Sequence, residues 1–229
     1  MKPIIYLQRR LHQERVDGVI SDVVRLLEHP STFTIGKTGG RKNILISAER
    51  QRAENIALFH VERGGDVTYH GPGQLVAYPI IDLEKRSREI RGFVQQLEEV
   101  AIKTLAEFSI NATRDAGYAG VWVGLGEITA IGLSVKKWVT MHGLALNVNT
   151  NLEHLSLINP CGFSDRKATS MAEILGHNVS MKRVNDCFKR HFSDVFGVDL
   201  LSYDDHQYQM DKTLNVSNNK GSSPCLKTI

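Results

Sequence analysis

The sequence predicts one domain of the α/β or α+β class, with a mixed and mostly antiparallel sheet flanked by helices. Helical and strand-like segments are interspersed without the regular alternation that a parallel βαβ sheet demands. Three strand-like runs, YAGVWVG, GEITAIGLSV and WVTMHGLALNV, follow one another as an antiparallel meander, the first two joined by the tight-turn signal Gly124-Leu125-Gly126. The length, 229 residues, suits one sizeable domain with a real core.

The elements are read in chain order. From Gln13 to Glu28 apolar residues recur at Val16, Val19, Ile20, Val23, Val24 and Leu27, the spacing of an amphipathic helix that ends before Pro30. Residues 31–36, STFTIG, are β-branched and predict a strand; residues 47–56 predict a short surface helix. LFHVERG and QLVAYPIIDL have strand composition. Ser87 to Phe108 has the clearest helical period, and the three-strand meander follows it. A short helix is expected at 169–175, stopped by Gly176, and a longer one runs from Ser180 as N-cap to Phe196, stopped by Gly197. The polar, aperiodic stretch 211–229 is expected to be a disordered tail, leaving 1–210 as the domain.

Composition narrows the function classes. Hydrophobic residues at 41 % and charged residues at 23 % are those of a soluble globular protein, and no apolar run reaches membrane-spanning length. The first fifteen residues lack the apolar core of a secretory signal. Cys161, Cys187 and Cys225 form no CxxC pair, which argues against a disulfide framework and a four-cysteine zinc site and for the cytoplasm. A net charge of +3, spread along the chain, is too weak to argue for nucleic acid, which is not expected as a partner, and is compatible with an acidic partner protein.

Residues 63–74, RGGDVTYHGPGQ, place four glycines between two strand-like runs. Without Cβ atoms at Gly64, Gly65, Gly71 and Gly73, a ligand chain can lie against backbone N–H groups; a strained turn between strands explains the same residues. The segment is neither a phosphate-binding loop nor a dinucleotide fingerprint. Cys161, between Pro160 and Gly162, is a candidate nucleophile on a constrained loop, whereas Cys187 lies in a helical run and reads as a small buried hydrophobe. His60, His70 and His142 have no short ligand spacing and no carboxylate cluster, so neither a metal nor another cofactor is expected.

Taken in order, RGGDVTYHGPGQLVAYPIIDL, AIG, HGLALNV and LINPCG followed by ATSM resemble the lipoyl(octanoyl) transferases, over residues 4 to 200. The resemblance implies a fold shared with lipoate-protein and biotin ligases. It also implies movement of an octanoyl group from acyl carrier protein to an enzyme cysteine, then to a lysine of a lipoyl domain in a 2-oxoacid dehydrogenase or the glycine-cleavage H protein. By the same matching the nucleophile is Cys161. The acyl-binding residues are Arg63, Gly64, Gly65, Asp66, Val67, Thr68, Tyr69 and His70, then Ala130, Ile131 and Gly132, then Gly143, Leu144 and Ala145, with Arg63 and His70 at the carbonyl end. Where the family carries a lysine that lowers the thiol pKa, this chain has Glu127, which would raise it. Three readings stay open: another base among His70, His142, Lys136 and Lys167; a local slip in the match; or a weakened or inactive relative that binds acyl groups or lipoyl domains. Lys136 lies about 30 Å beyond Glu127 along an extended strand and replaces it only if the chain turns between them.

Overall fold

The computed structural model describes residues 2–86, 88–159, 167–202 and 225–228. The first part of the chain gives α1 (Lys2–Val16), β1 (Val23–Leu27), β2 (Thr32–Ile35), α2 (Ala48–Ala53), β3 (Ala57–His60), β4 (Val67–His70) and β5 (Gln74–Ile80). The middle gives α3 (Ile90–Ala106) and the strands β6 (Thr113–Arg114), β7 (Gly120–Val123), β8 (Gly126–Lys136) and β9 (Val139–Asn147). The last part gives α4 (Leu152–Ser156), β10 (Lys167–Ala168), α5 (Met171–Leu175), α6 (Met181–Phe196), β11 (Asp199–Ser202) and β12 (Cys225–Thr228).

Two sheets result. The larger runs β11-β12-β1-β5-β9-β8-β7-β6, with β10 added alongside β8; the smaller runs β3-β2-β4. The β1–β5–β9–β8–β7–β6 stretch is antiparallel throughout, and parallel pairs occur where β12 meets β1 and β11, where β10 meets β8 and where β2 meets β3.

α3 and α6 cover one face of the larger sheet. Phe93, Leu97, Val100, Ala101 and Leu105 of α3 meet Val184, Phe188, Phe192 and Phe196 of α6 over Leu75 and Ala77 of β5 and Leu144 and Leu146 of β9. Each such side chain contributes about 1.5–3 kcal/mol of burial. α6 starts where Ser180 Oγ accepts from the Arg183 N–H and ends at Gly197, whose φ of +61° closes the last turn. Cys187 is buried on this helix as a packing residue. Val76 and Tyr78 of β5 and Ala145 of β9 point to the opposite face, toward α1 and the smaller sheet, and there the cavity described below lies.

Two expectations are corrected. The helix expected over 13–28 is instead the end of α1, a loop and β1. Val16 belongs to the helix while Val23, Val24 and Leu27 belong to a strand, so a helical spacing arose from two unrelated elements. The tail expected to be structureless from 211 onward ends in β12, which pairs with both β1 and β11; residues 211–224 lie outside the described residues.

Candidate active site

The glycine-rich segment crosses from the smaller sheet onto the larger one. Gly64 donates its N–H to the Leu133 carbonyl of β8 at 2.8 Å, and Gly65, at φ +84°, turns the chain back into β4. Gly132 completes the crossing: a Cβ there would stand 2.9 Å from Arg63 Cδ and 3.2 Å from the Gly64 carbonyl oxygen. The sequence expectation of a turn between strands is therefore half met, because residues 67–70 are themselves strand. Arg63 is buried, and its Nη2 donates to both the carbonyl oxygen and Oγ1 of Thr34 at 2.9 Å while Nη1 donates to the Gly64 carbonyl at 3.0 Å. Asp66 holds the loop shape, its Oδ1 accepting from the Val67 N–H at 2.8 Å and its Oδ2 from Asn43.

Between this segment, β8, β9 and α1 lies a cavity of about 110 Å³. That is several times the roughly 10–15 Å³ that holds one water, so it has room for a short chain. Residues 63–68, His70, 130–132 and 143–145 all line it. Tyr69 does not. Strand alternation turns its ring into the smaller sheet's core, edge-on to Phe33, where its hydroxyl meets Ser31 at 3.1 Å and His154 at 3.0 Å. Gly143 has a packing reason to be bare, since a Cβ would fall 2.0 Å from the Ala77 carbonyl oxygen.

Glu127 also lines the cavity, half-buried. It arrives there through a β-bulge. Val121 opposes Thr129 but Trp122 opposes Glu127, so β8 carries an extra residue at Ile128. Strict alternation would place Glu127 with Ile131 and Leu133, which pack toward the helix-covered core; the bulge moves it to the face of Ala130 and Gly132. Cys161 lies outside the described residues. The chain resumes after it in β10, where Ala168 stands in register with Glu127 and the Thr169 N–H donates to the Glu127 carbonyl at 2.9 Å.

The four candidate bases separate. Lys136 is exposed at the far end of β8, opposite Val139, and the strand runs unbroken from Gly126, so no turn brings it back. Lys167 is exposed and stands in register with Gly126, one residue off from Glu127 and hence on the other face. His70 and His142 line the cavity. Burial holds the His70 pKa down to about 3, with His29, Arg63 and His142 adding to the effect and the hydrogen bond to Gln74 opposing it. Burial likewise holds His142 at about 4 against the pull of Glu62, and His29, hydrogen-bonded to Tyr78 Oη at 2.8 Å, at about 4. All three are neutral imidazoles at neutral pH.

His142 sits in β9 at φ +63°, its N–H turned away from β5 to Gln8 Oε1 of α1 at 3.0 Å. The neighbouring β5 residue there is Pro79, which has no N–H to offer a ladder. Gln8, Thr34 and Tyr78 line the cavity and escaped the sequence reading, because they come from three elements with no local motif to join them. His60, by contrast, is exposed on β3, and among the described residues no group of three His, Cys, Asp or Glu is placed to hold a metal.

The fold matches a lipoate-protein ligase A bound with ATP at a TM-score of 0.70 and 16 % identity, covering 92 % of this chain and 90 % of that one. It matches a putative lipoate protein ligase from T. acidophilum at 0.68 and 16 %, covering 90 % and 88 %. At such identities the likeness is one of fold. Sequence goes further: residues 5–193 match the model of the lipoyl protein ligase A/B catalytic domain, and an octanoyltransferase of Caldicellulosiruptor bescii is 51 % identical over 86 % of this chain and 87 % of its own. Another, from Desulforamulus reducens, is 45 % identical over 87 % and 88 %. The chain belongs to the lipoyl protein ligase A/B catalytic domain family, on its octanoyltransferase branch, and is an acyltransferase.

Proposed function

We propose that the protein moves an octanoyl group from octanoyl-acyl carrier protein to Cys161 and then to the ε-amine of one lysine in a lipoyl domain, of a 2-oxoacid dehydrogenase or the glycine-cleavage H protein. In the first step the Cys161 thiolate attacks the thioester carbonyl carbon, the carrier's C–S bond breaks, and the carrier sulfur leaves as a thiolate that takes up the proton Cys161 gave up. In the second the neutral amine attacks the enzyme thioester, the C–N bond forms, and the proton lost by nitrogen ends on the departing sulfur.

The observation that carries this reading is the cavity, where backbone and small or apolar side chains from Gly64, Gly65, Val67, 130–132 and 143–145 surround a slot that Arg63, Asp66 and Thr68 also line. A chain of eight carbons gains roughly 0.8 kcal/mol for each methylene buried there. The buried Arg63 guanidinium supplies a positive charge at the wall, suited to the carbonyl oxygen as negative charge develops on it. Intact-mass measurement after mixing with octanoyl-acyl carrier protein, without ATP, tests the reading. One octanoyl group should appear on the protein, vanish in Cys161→Ser and move to an added lipoyl domain. A protein that modifies the domain only when given free acid and ATP is a ligase, and one that acquires nothing is a binder.

A further inference from the structure

Gln74 and Asn147 are polar side chains 2 % and 5 % exposed, in register on β5 and β9. They belong to a chain of hydrogen bonds whose direction is fixed by backbone carbonyls, which only accept. The Asn147 atom 3.0 Å from the Thr169 carbonyl oxygen must therefore be Nδ2, donating. That turns Asn147 Oδ1 to Gln74 at 2.9 Å, so Gln74 donates through Nε2. The same Nε2 reaches the Tyr69 carbonyl oxygen at 3.2 Å, a second and independent constraint with the same answer. Gln74 Oε1 is left facing His70 Nδ1 at 2.9 Å, and the proton between them must belong to the imidazole. A neutral imidazole protonated on Nδ1 has its lone pair on Nε2, and among the described residues no hydrogen bond engages that atom.

His70 lines the cavity in this form, so it cannot donate to an acyl carbonyl oxygen. The expectation that Arg63 and His70 together hold the carbonyl end divides: Arg63 brings a positive charge and His70 an acceptor. The N–H donor that the second step of the proposed reaction must bring to the acyl carbonyl carbon is the lysine amine. We infer that Gln74 and Asn147 are positioning residues that lock His70 as the hydrogen-bond acceptor for one N–H of the incoming amine, so that the nitrogen lone pair points at the acyl carbonyl carbon. The chain's other end is tied to the reaction side of the sheet, because the Thr169 N–H donates to the Glu127 carbonyl at 2.9 Å. The inference rests on the proposed octanoyl transfer.

Long-range ¹H–¹⁵N spectra of the labelled full-length protein read the tautomer directly, and His70 should show a protonated Nδ1 and a bare Nε2. Gln74→Met removes the acceptor at similar length. It should mix the two tautomers and slow octanoyl transfer to a lipoyl domain about tenfold, the worth of one hydrogen bond in a transition state, while loading of Cys161 keeps its rate. Gln74→Glu keeps an acceptor toward Nδ1 but loses both donations and sets a carboxylate beside the ring, which favours the imidazolium; it should protonate Nε2 and slow transfer as well, again without slowing the loading of Cys161. A wild-type spectrum with the proton on Nε2 overturns the inference even if Gln74→Met does not fold. So does a folded Gln74→Met that transfers at the wild-type rate, or one in which loading and transfer fall together. A wild-type protein that never loads octanoyl overturns the proposed reaction and the amine's part in it, and leaves the tautomer as a separate reading.

Discussion

One extra residue in β8 decides what Glu127 can do. Without the bulge at Ile128 its carboxylate would face the core under α3 and α6; with it, the carboxylate faces the cavity beside Ala130 and Gly132. A carboxylate near a thiol raises the thiol pKa, whereas an ammonium lowers it and enlarges the thiolate fraction at pH 7. Glu127→Lys should therefore move the pH profile of Cys161 loading toward lower pH and raise the rate at pH 7, about tenfold for every pH unit the profile moves. Stopped-flow loading from pH 6 to 9 reads both, and an unchanged profile would show that another base already serves. At this scale the glycine-bearing segments were legible, because runs of missing side chains announce close backbone approach. The facing of Tyr69 was legible only once β4 was known to be a strand, since alternation then sends it to the opposite face from Thr68. Gln8 and Tyr78 were not legible, because only the fold brings α1 and β5 to one cavity.

Elements were legible where periodicity and caps agreed. α3 and α6 carry continuous apolar stripes, and α6 also has Ser180 and Gly197 at its ends. α1 has no such stripe, for among its described side chains the buried positions are Ile5, Gln8, Leu11 and Arg15. Two of the four are polar, each satisfied by a distant partner. Gln8 accepts from the His142 N–H, and Arg15 pairs with Asp22 at 2.7 Å and Asp82 at 3.1 Å. A hydrophobic pattern cannot reveal a helix whose core face is completed by tertiary hydrogen bonds. β12 was hidden for a similar reason: its polar sequence gives no sign of pairing, yet it fills the place between β11 and β1. Deleting residues 221–229 should leave β1 as an unpaired edge, speed hydrogen exchange at Val23 and Val24, lower the melting temperature and promote association through the bared strand. Unaltered exchange at those two amides would return the segment to the status of a dispensable tail.

The whole molecule carries an acid sensitivity built from three histidines. His29, His70 and His142 are each buried beside or within the cavity wall, and burial lowers their pKa values to about 4, 3 and 4 from an ordinary 6.5. They share the site with the Arg63 guanidinium, which lowers His70 and His142 further, and with Glu62, which opposes the lowering at His142 but does not cancel it. From about one pH unit above 6.5 upward all three are neutral in the folded and the unfolded chain, so there they contribute almost no pH dependence. As the pH falls through 6.5 the unfolded chain gains protons that the folded one refuses, and stability declines until the folded pKa values are reached near 3 to 4. Each histidine fully in that window contributes a slope of about 1.4 kcal/mol per pH unit, so the three together approach roughly 4 kcal/mol per pH unit near pH 5. Set against an ordinary domain stability of about 5–15 kcal/mol, that is a substantial acid-side loss. Urea midpoints should be nearly level from about pH 7.5 to 8.5 and fall steeply between about pH 6 and 4.5. The fall should be visibly shallower in His29→Phe, which removes one of the three titrations while keeping a ring against His70. A level midpoint down to pH 4.5 would mean that water reaches these imidazoles and lets them charge in place.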